Sequence, residues 1–200
     1  MPPSPRSLVL ASSSRYRRQL LERLGLPFEC VSPDADETPQ TGEPFARTAQ
    51  RLAELKARAV APRYPGALII GSDQVASCAG ERMDKPGTHD NAARQLRHMS
   101  GQVTRFDTAV CVLDAASGKF AQRNVPCEVR FRELSDALIE AYLRREQPYE
   151  CAGSAKSEGL GIALMAAVRT DDPTSLVGLP LIALTELLAE MGQPVLNATR

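Results

Sequence analysis

"LVLASSSRYRRQLLERLG", residues 8–25, decides how the chain begins to fold. An apolar run ends in three serines, and the leucines that follow return at helical spacing, so the stretch reads as strand, polar turn and helix. Arg15, Arg17 and Arg18 then fall in the first turns of the helix. The partial positive charge of a helix N-terminus disfavours cations there. Two readings account for them: an anion gripped by backbone N–H groups, serine hydroxyls and guanidinium forks, or an exposed charged helix face that Arg23 continues.

Working outward, "FECVS" (28–32) reads as a second strand entering a loop, "PDADETPQTGEP" (33–44). "EPFARTAQRLAELKARAVA" (43–61) is an amphipathic helix, with Phe45, Ala49, Leu52, Ala53 and Val60 in its apolar stripe. "ALIIGSDQVASC" (67–78) is a long strand that turns polar at Gly71-Ser72-Asp73. Thr88 caps a helix over "THDNAARQLRHMSG", and Gly101 closes it. "QVTRFDTAVCVLD" and "FAQRNVPCEVRFREL" form an antiparallel hairpin across "AASGK". "SDALIEAYLRRE" is a helix, and the glycine-punctuated "CAGSAKSEGLGIALM" follows it. "DPTSLVG" reads as a one-turn helix capped by Asp172 with Pro173 at its first position, before a terminal helix in "PLIALTELLAEMG". No repeat, low-complexity linker or domain boundary interrupts this order. The expectation is one mixed α/β domain over residues 1–200, with two lobes around a central cleft.

The 24 basic and 24 acidic residues cancel, which argues against a general nucleic-acid surface. No apolar run is long enough to span a membrane, and the N-terminus lacks a signal-peptide pattern, so a cytoplasmic protein is expected. The five cysteines are odd in number and widely spaced, without a zinc pattern, which suits reduced and mostly buried thiols.

Three clusters carry candidate chemistry. Asp34, Asp36 and Glu37 in "DADET" suit a hard cation such as Mg2+ or Mn2+, or a solvated acidic loop. Asp73 follows a buried apolar run, where a carboxylate must be paired, hydrogen-bonded or metal-bound; tying down a turn is the alternative. Lys156 and Glu158 lie among small residues in "GSAKSEG", which suits either close backbone approach to a ligand or a polar surface loop. Lys56 and Lys85 are ordinary lysines taken singly.

Taken in order, "LASSSRYRRQLLERLG", "SPDADETP", "RLAELKA", "IIGSDQV", "DKPG", "CAGSAKSEGLGIAL" and "DPTSLVGLPLIAL" resemble the Maf family of nucleoside triphosphate pyrophosphatases over essentially the whole chain. Through "SDQ", "CAGSAKSEG" and "DPTSLVGLP" the sequence is most similar to the branch that hydrolyses 7-methyl-GTP. The resemblance implies a Maf-like α/β fold, of the anticodon-binding and ITPase-like kind, with a mixed sheet flanked by helices. It implies that Asp73 is the proton acceptor and that Tyr16, Gln74 and Glu158 set substrate specificity. Ser12, Ser14, Arg17, Arg18, Glu37, Lys56 and Lys85 match the family's polar cleft; on physical grounds the serines, arginines and lysines suit the phosphates, and Glu37 with Asp73 a divalent metal. Asp84 departs from the glycine usual before Lys-Pro, which puts the Lys85 contact in question.

The expected activity is hydrolysis of the α–β phosphoanhydride of 7-methyl-GTP, giving 7-methyl-GMP and diphosphate. A dTTP/UTP pyrophosphatase is the nearest alternative, against which Gln74 and Glu158 argue. A non-catalytic nucleotide-binding regulator of cell division is another, although a binding module needs no proton acceptor. The expected partner is the nucleotide substrate, with no nucleic acid polymer and no membrane. Oligomeric state is not fixed by the sequence, and a homodimer is open to it.

Overall fold

The computed structural model describes residues 6–196. The sheet has the strand order β2-β1-β3-β5-β6-β7, with β4 pairing to β3 beside this path. These strands are β1 (Leu8–Ala11), β2 (Phe28–Val31), β3 (Leu68–Cys78), β4 (Glu81–Arg82), β5 (Val103–Asp114), β6 (Phe120–Phe131) and β7 (Met165–Thr170). The helices are α1 (Arg15–Glu22), α2 (Phe45–Val60), α3 (His89–Met99), α4 (Asp136–Glu146) and α5 (Leu181–Glu190). β1 runs parallel to both β2 and β3, whereas β3–β4 and β6–β7 are antiparallel. The sheet is therefore mixed, as expected.

The chain forms two compact units, and it passes between them inside β3, β5 and β6 and once more between Asp171 and Asp172, just after β7. The first unit comprises residues up to Asp73, Thr108–Val125 and the segment from Asp172 onward. Its core joins Leu8 and Leu10 of β1, Leu20 and Leu21 of α1, Leu68 and Ile70 of β3, and Leu184, Leu187 and Leu188 of α5. Each fully buried leucine contributes roughly 1.5–3 kcal/mol of apolar transfer free energy. Leu8 and Leu10 of β1 and Leu68 and Ile70 at the start of β3 enter this core as alternate residues, as the two-residue period of a strand requires. Ala49, Leu52, Ala53, Ala57 and Val60 of α2 are buried as well, and α2 also packs on β1.

The second unit comprises Gln74–Asp107 and Pro126–Asp171. Its helices begin as their sequences dictate: the Thr88 hydroxyl accepts from Asn91 N–H, and the Ser135 hydroxyl from Leu138 N–H. α3 and α4 pack together and are bridged by Arg97–Asp136 at 2.6 Å and His89–Glu140 at 2.8 Å.

Three features differ from the sequence reading. β4 and β7 are strands that it did not contain. β7 is an edge strand with the sequence MAAVRT, whose alanines give little strand signal. "DPTSLVG" forms a series of turns rather than a one-turn helix, and Asp172 caps α5 instead. Its Oδ1 accepts from the Thr174 N–H and hydroxyl, and its Oδ2 from Ile182 N–H at 2.7 Å and Ala183 N–H at 3.3 Å. The carboxylate thus satisfies orphan donors of a helix ten residues away, an assignment that local spacing could not reveal.

Cys78, Cys111 and Cys127 are buried, Cys151 is half-buried and Cys30 is exposed; all five are free thiols. Burial pushes Cys111 up to about 12 and Cys127 up to about 11, so neither is a thiolate at neutral pH. No helix among the described residues is long and apolar enough to cross a membrane.

Candidate active site

The strand, serine turn and cationic helix start are built as residues 8–25 suggest. Ser12, buried where β1 ends, accepts from Ser14 N–H at 3.1 Å and so shapes the turn. Ser14 is the N-cap of α1, and its hydroxyl faces Arg17 N–H at a long 3.4 Å. Both hydroxyls thus organise the turn, while each keeps a proton to donate.

The three arginines separate at this point. Arg17 donates from Nε to the Gly178 carbonyl at 2.7 Å, and its terminal amino groups take no hydrogen bond among the described residues. Burial lowers its pKa, and the carboxylates of Asp73 and then Glu37 oppose that shift, so the guanidinium remains a cation facing two anions. Arg18 is exposed and pairs with Glu22 at 3.0 Å. It lines a different hollow of about 460 Å³ with Leu26, Phe28 and Cys30. Arg15 lies over the Tyr16 ring at 4.8 Å and donates to its hydroxyl at 2.7 Å. The Tyr16 face therefore already holds a planar cation.

Lys56 and Asp73 form the centre of the first unit's polar cluster. Both are more than nine-tenths buried, and Lys56 Nζ lies 2.6 Å from Asp73 Oδ1. The same ammonium contacts Oε2 of the exposed Glu37 at 2.8 Å. Asp73 Oδ2 accepts no hydrogen bond among the described residues, which leaves one oxygen of a buried carboxylate available. Of the other acidic-loop residues, Asp36 is spent locally. It accepts from the Thr38 hydroxyl and N–H, which hold its pKa down.

Two residues missed in the sequence reading fix this cluster. Ser72 is fully buried, donates to Ala109 O at 2.8 Å and has Gly178 O as a second acceptor at 3.0 Å. Gly178 sits at φ +119°, where a side chain is strained, and its carbonyl anchors Arg17. "GSD" and "DPTSLVG" were both legible as motifs, but their meeting at one carbonyl was not.

Gln74, Lys85 and Glu158 belong to the second unit. Gln74 is half-buried in β3, and Lys85 is exposed. Asp84, the departure from the usual glycine, turns its carboxylate to Arg82 Nε at 2.6 Å. Gln95, another residue missed in the sequence, donates to Asp84 O and accepts from the Ser154 hydroxyl, tying the "DKPG" loop to the "GSAKSEG" loop. Glu158 is exposed and accepts from the Ser157 hydroxyl at 3.3 Å.

The loop around Glu158 is held by Glu146 instead. Glu146 pairs with Lys156 at 2.7 Å and accepts from Leu160 N–H at 2.7 Å. The Lys156 ammonium holds Glu146 below the usual carboxylate range, against an opposing effect of burial, and the Leu160 N–H adds to the lowering. A depressed carboxylate stabilises the fold above its unfolded value of about 4.3, and that contribution is lost as pH falls through the folded value. The melting temperature of Glu146→Gln is therefore expected to lie below wild type near neutral pH and to approach it in acid. Thermal unfolding followed by circular dichroism across that range checks this. A gap independent of pH would remove Glu146 from the acid response.

The donor set suits a small hard cation. Glu37 and Asp73 supply carboxylate oxygens, and Mg2+ is commonly held by one or two carboxylates completed by substrate phosphates and water. No group of three or more His, Cys, Asp or Glu that could hold a metal occurs among the described residues, so the protein would supply only part of the shell.

The fold is α/β, and its first unit gathers the carboxylates of Asp73 and Glu37 around the Lys56 ammonium, with the Arg17 guanidinium anchored on Gly178. The chain matches the family described as Maf-like protein over residues 7–191, and it belongs to that family. It is 56% identical over 196 residues to a protein from Methylobacillus flagellatus named 7-methyl-GTP pyrophosphatase, covering 98% of this chain and 100% of that one. A protein of the same name from Cupriavidus pinatubonensis is 56% identical over 196 residues, covering 98% of each. Another, from Thiobacillus denitrificans, is 55% identical over 191 residues, covering 96% of this chain and 95% of that one. Among solved structures, the Staphylococcus aureus Ham1 protein superposes with a TM-score of 0.46 at 15% identity, covering 64% of this chain and 72% of that one.

Proposed function

We propose that this protein is a nucleotide pyrophosphatase that hydrolyses 7-methyl-GTP to 7-methyl-GMP and diphosphate. The observation that carries the chemistry is the pairing of two incompletely used groups in one unit. Asp73 has one oxygen on Lys56 and the other open, and Arg17 is anchored through Nε with its terminal amino groups open. The names of relatives more than half identical over nearly full length supply the substrate.

In this reading Asp73 accepts the proton of the attacking water through Oδ2. Arg17 and the Ser12 and Ser14 hydroxyls bind phosphate oxygens and take up charge on the departing diphosphate. Lys56 orients Asp73, and its contact with Glu37 brings that carboxylate to the same place. Glu37 and Asp73 would hold Mg2+ or Mn2+, which when bound lowers the pKa of its water and neutralises phosphate charge. Arg18 and Lys85 remain proposed phosphate ligands from exposed positions. The chain works as a single Maf-like domain in the cytoplasm, a reading supported by the family match and the five free thiols.

Base choice falls to Tyr16, Gln74 and Glu158. Methylation at N7 makes guanine cationic, so Glu158 gains a charge-assisted contact and the Tyr16 face accepts the base where Arg15 now lies. Since Glu146 ties down the glycine-rich loop, Glu158 is spared for recognition. Pyrophosphate release should be measured for 7-methyl-GTP, GTP, UTP and dTTP with Mg2+, with Mn2+ and in chelator. Highest kcat/KM on 7-methyl-GTP and loss of activity in chelator are expected. Glu158→Gln should narrow the preference by roughly tenfold, about 1.4 kcal/mol. Equal losses on all four nucleotides would reject Glu158 as the reader of the base, and full activity in chelator would reject the metal.

A further inference from the structure

We propose that Gly71 is a positioning residue for this reaction: its missing side chain lets α2 close on β3 far enough to seat Lys56 on Asp73. The inference rests on the reading of Lys56 and Asp73 as working groups. Gly71 and Asp73 are two residues apart in β3, so they face the same side of the strand. A Cβ built on Gly71 would lie 2.0 Å from Ala53 O, 3.0 Å from Ala57 N and 3.1 Å from Ala53 C. All three are backbone atoms of α2, which no rotamer change can move aside.

Backbone conformation does not require glycine at this position, since its φ lies outside the left-handed region. Space does. Ordinary carbon-to-oxygen contacts begin near about 3.3 Å, so a methyl group here would drive α2 away from β3 by on the order of 1 Å. Ala53 and Ala57, both fully buried, keep the helix face equally thin one turn apart. Lys56, three residues after Ala53 and so its neighbour on the helix surface, reaches Asp73 Oδ1 at 2.6 Å. Glycine weakens a strand interior, and its presence in an otherwise apolar run marks a close backbone approach. Here that approach sets the reach of the lysine.

A double-mutant cycle in the full chain tests the assignment, with kcat and KM for 7-methyl-GTP measured on folded protein. Gly71→Ala should lower kcat by roughly 10²-fold, the scale of a 1 Å misplacement, with KM little changed. Lys56→Met should also lower kcat, and adding Gly71→Ala to it should cost almost nothing further, because the group being positioned is already gone. If Gly71→Ala does not fold, Ala57→Ser, one atom larger on the same face of α2, replaces it in the cycle. Losses that multiply, or a wild-type kcat for the substituted glycine, would overturn the positioning role. A wild-type kcat for Lys56→Met would instead overturn the reading of the site on which it rests.

Discussion

Asp73→Asn is expected to lower kcat by roughly 10²–10⁴-fold, the range of a lost general base, while nucleotide binding largely survives. Asparagine keeps the shape and still offers an oxygen to Lys56, but it cannot take a proton from water at neutral pH. Removing one charge of a buried pair also leaves Lys56 balanced only by the exposed Glu37. Loss of a partner in a buried ion pair commonly costs about 3–5 kcal/mol, and the retained amide oxygen should reduce that. Turnover must therefore be measured below the variant's melting temperature, beside a direct nucleotide-binding titration. A folded Asp73→Asn protein that turns over near the wild-type rate would end the proton-acceptor assignment.

Arg17→Met should reduce kcat/KM by roughly 10²–10³-fold, as for loss of a preorganised donor to developing charge. Arg17→Lys should restore little of it. A lysine ammonium can carry the charge, but it cannot bind the Gly178 carbonyl through one nitrogen while presenting a planar fork from two others. Steady-state kinetics on 7-methyl-GTP decide the matter. Full rescue by lysine would mean that charge alone matters and that the Gly178 anchor is incidental.

These predictions rest on parts of the molecule that were unequally visible beforehand. The strand–turn–helix start, the amphipathic α2, the capped α3 and the hairpin of β5 and β6 followed from periodicity and cap residues alone. They could, because local hydrogen bonding and apolar spacing are properties of neighbouring residues. β7 escaped because an alanine-rich edge strand is stabilised by its pairing with β6 and has little pattern of its own. The bounds of the two units escaped because three of the four crossings between them fall within strands, leaving no linker composition to read.

By itself, then, the sequence determined the mixed α/β class, the family resemblance and the residue types available for phosphate chemistry. It also placed Asp73 in a buried strand, where a carboxylate demands a partner. Tertiary structure alone decided which partner that is. Lys56 is seventeen positions away and Gly178 lies 161 from Arg17, so only packing of α2 on β3 and of the "DPTSLVG" turns near α1 makes these contacts. The same packing separated three arginines that look equivalent in one helical turn: Arg17 turns to Gly178, Arg18 to Glu22 and Arg15 to Tyr16. Side chains one residue apart on a helix point about 100° apart, and what each meets belongs to the rest of the fold.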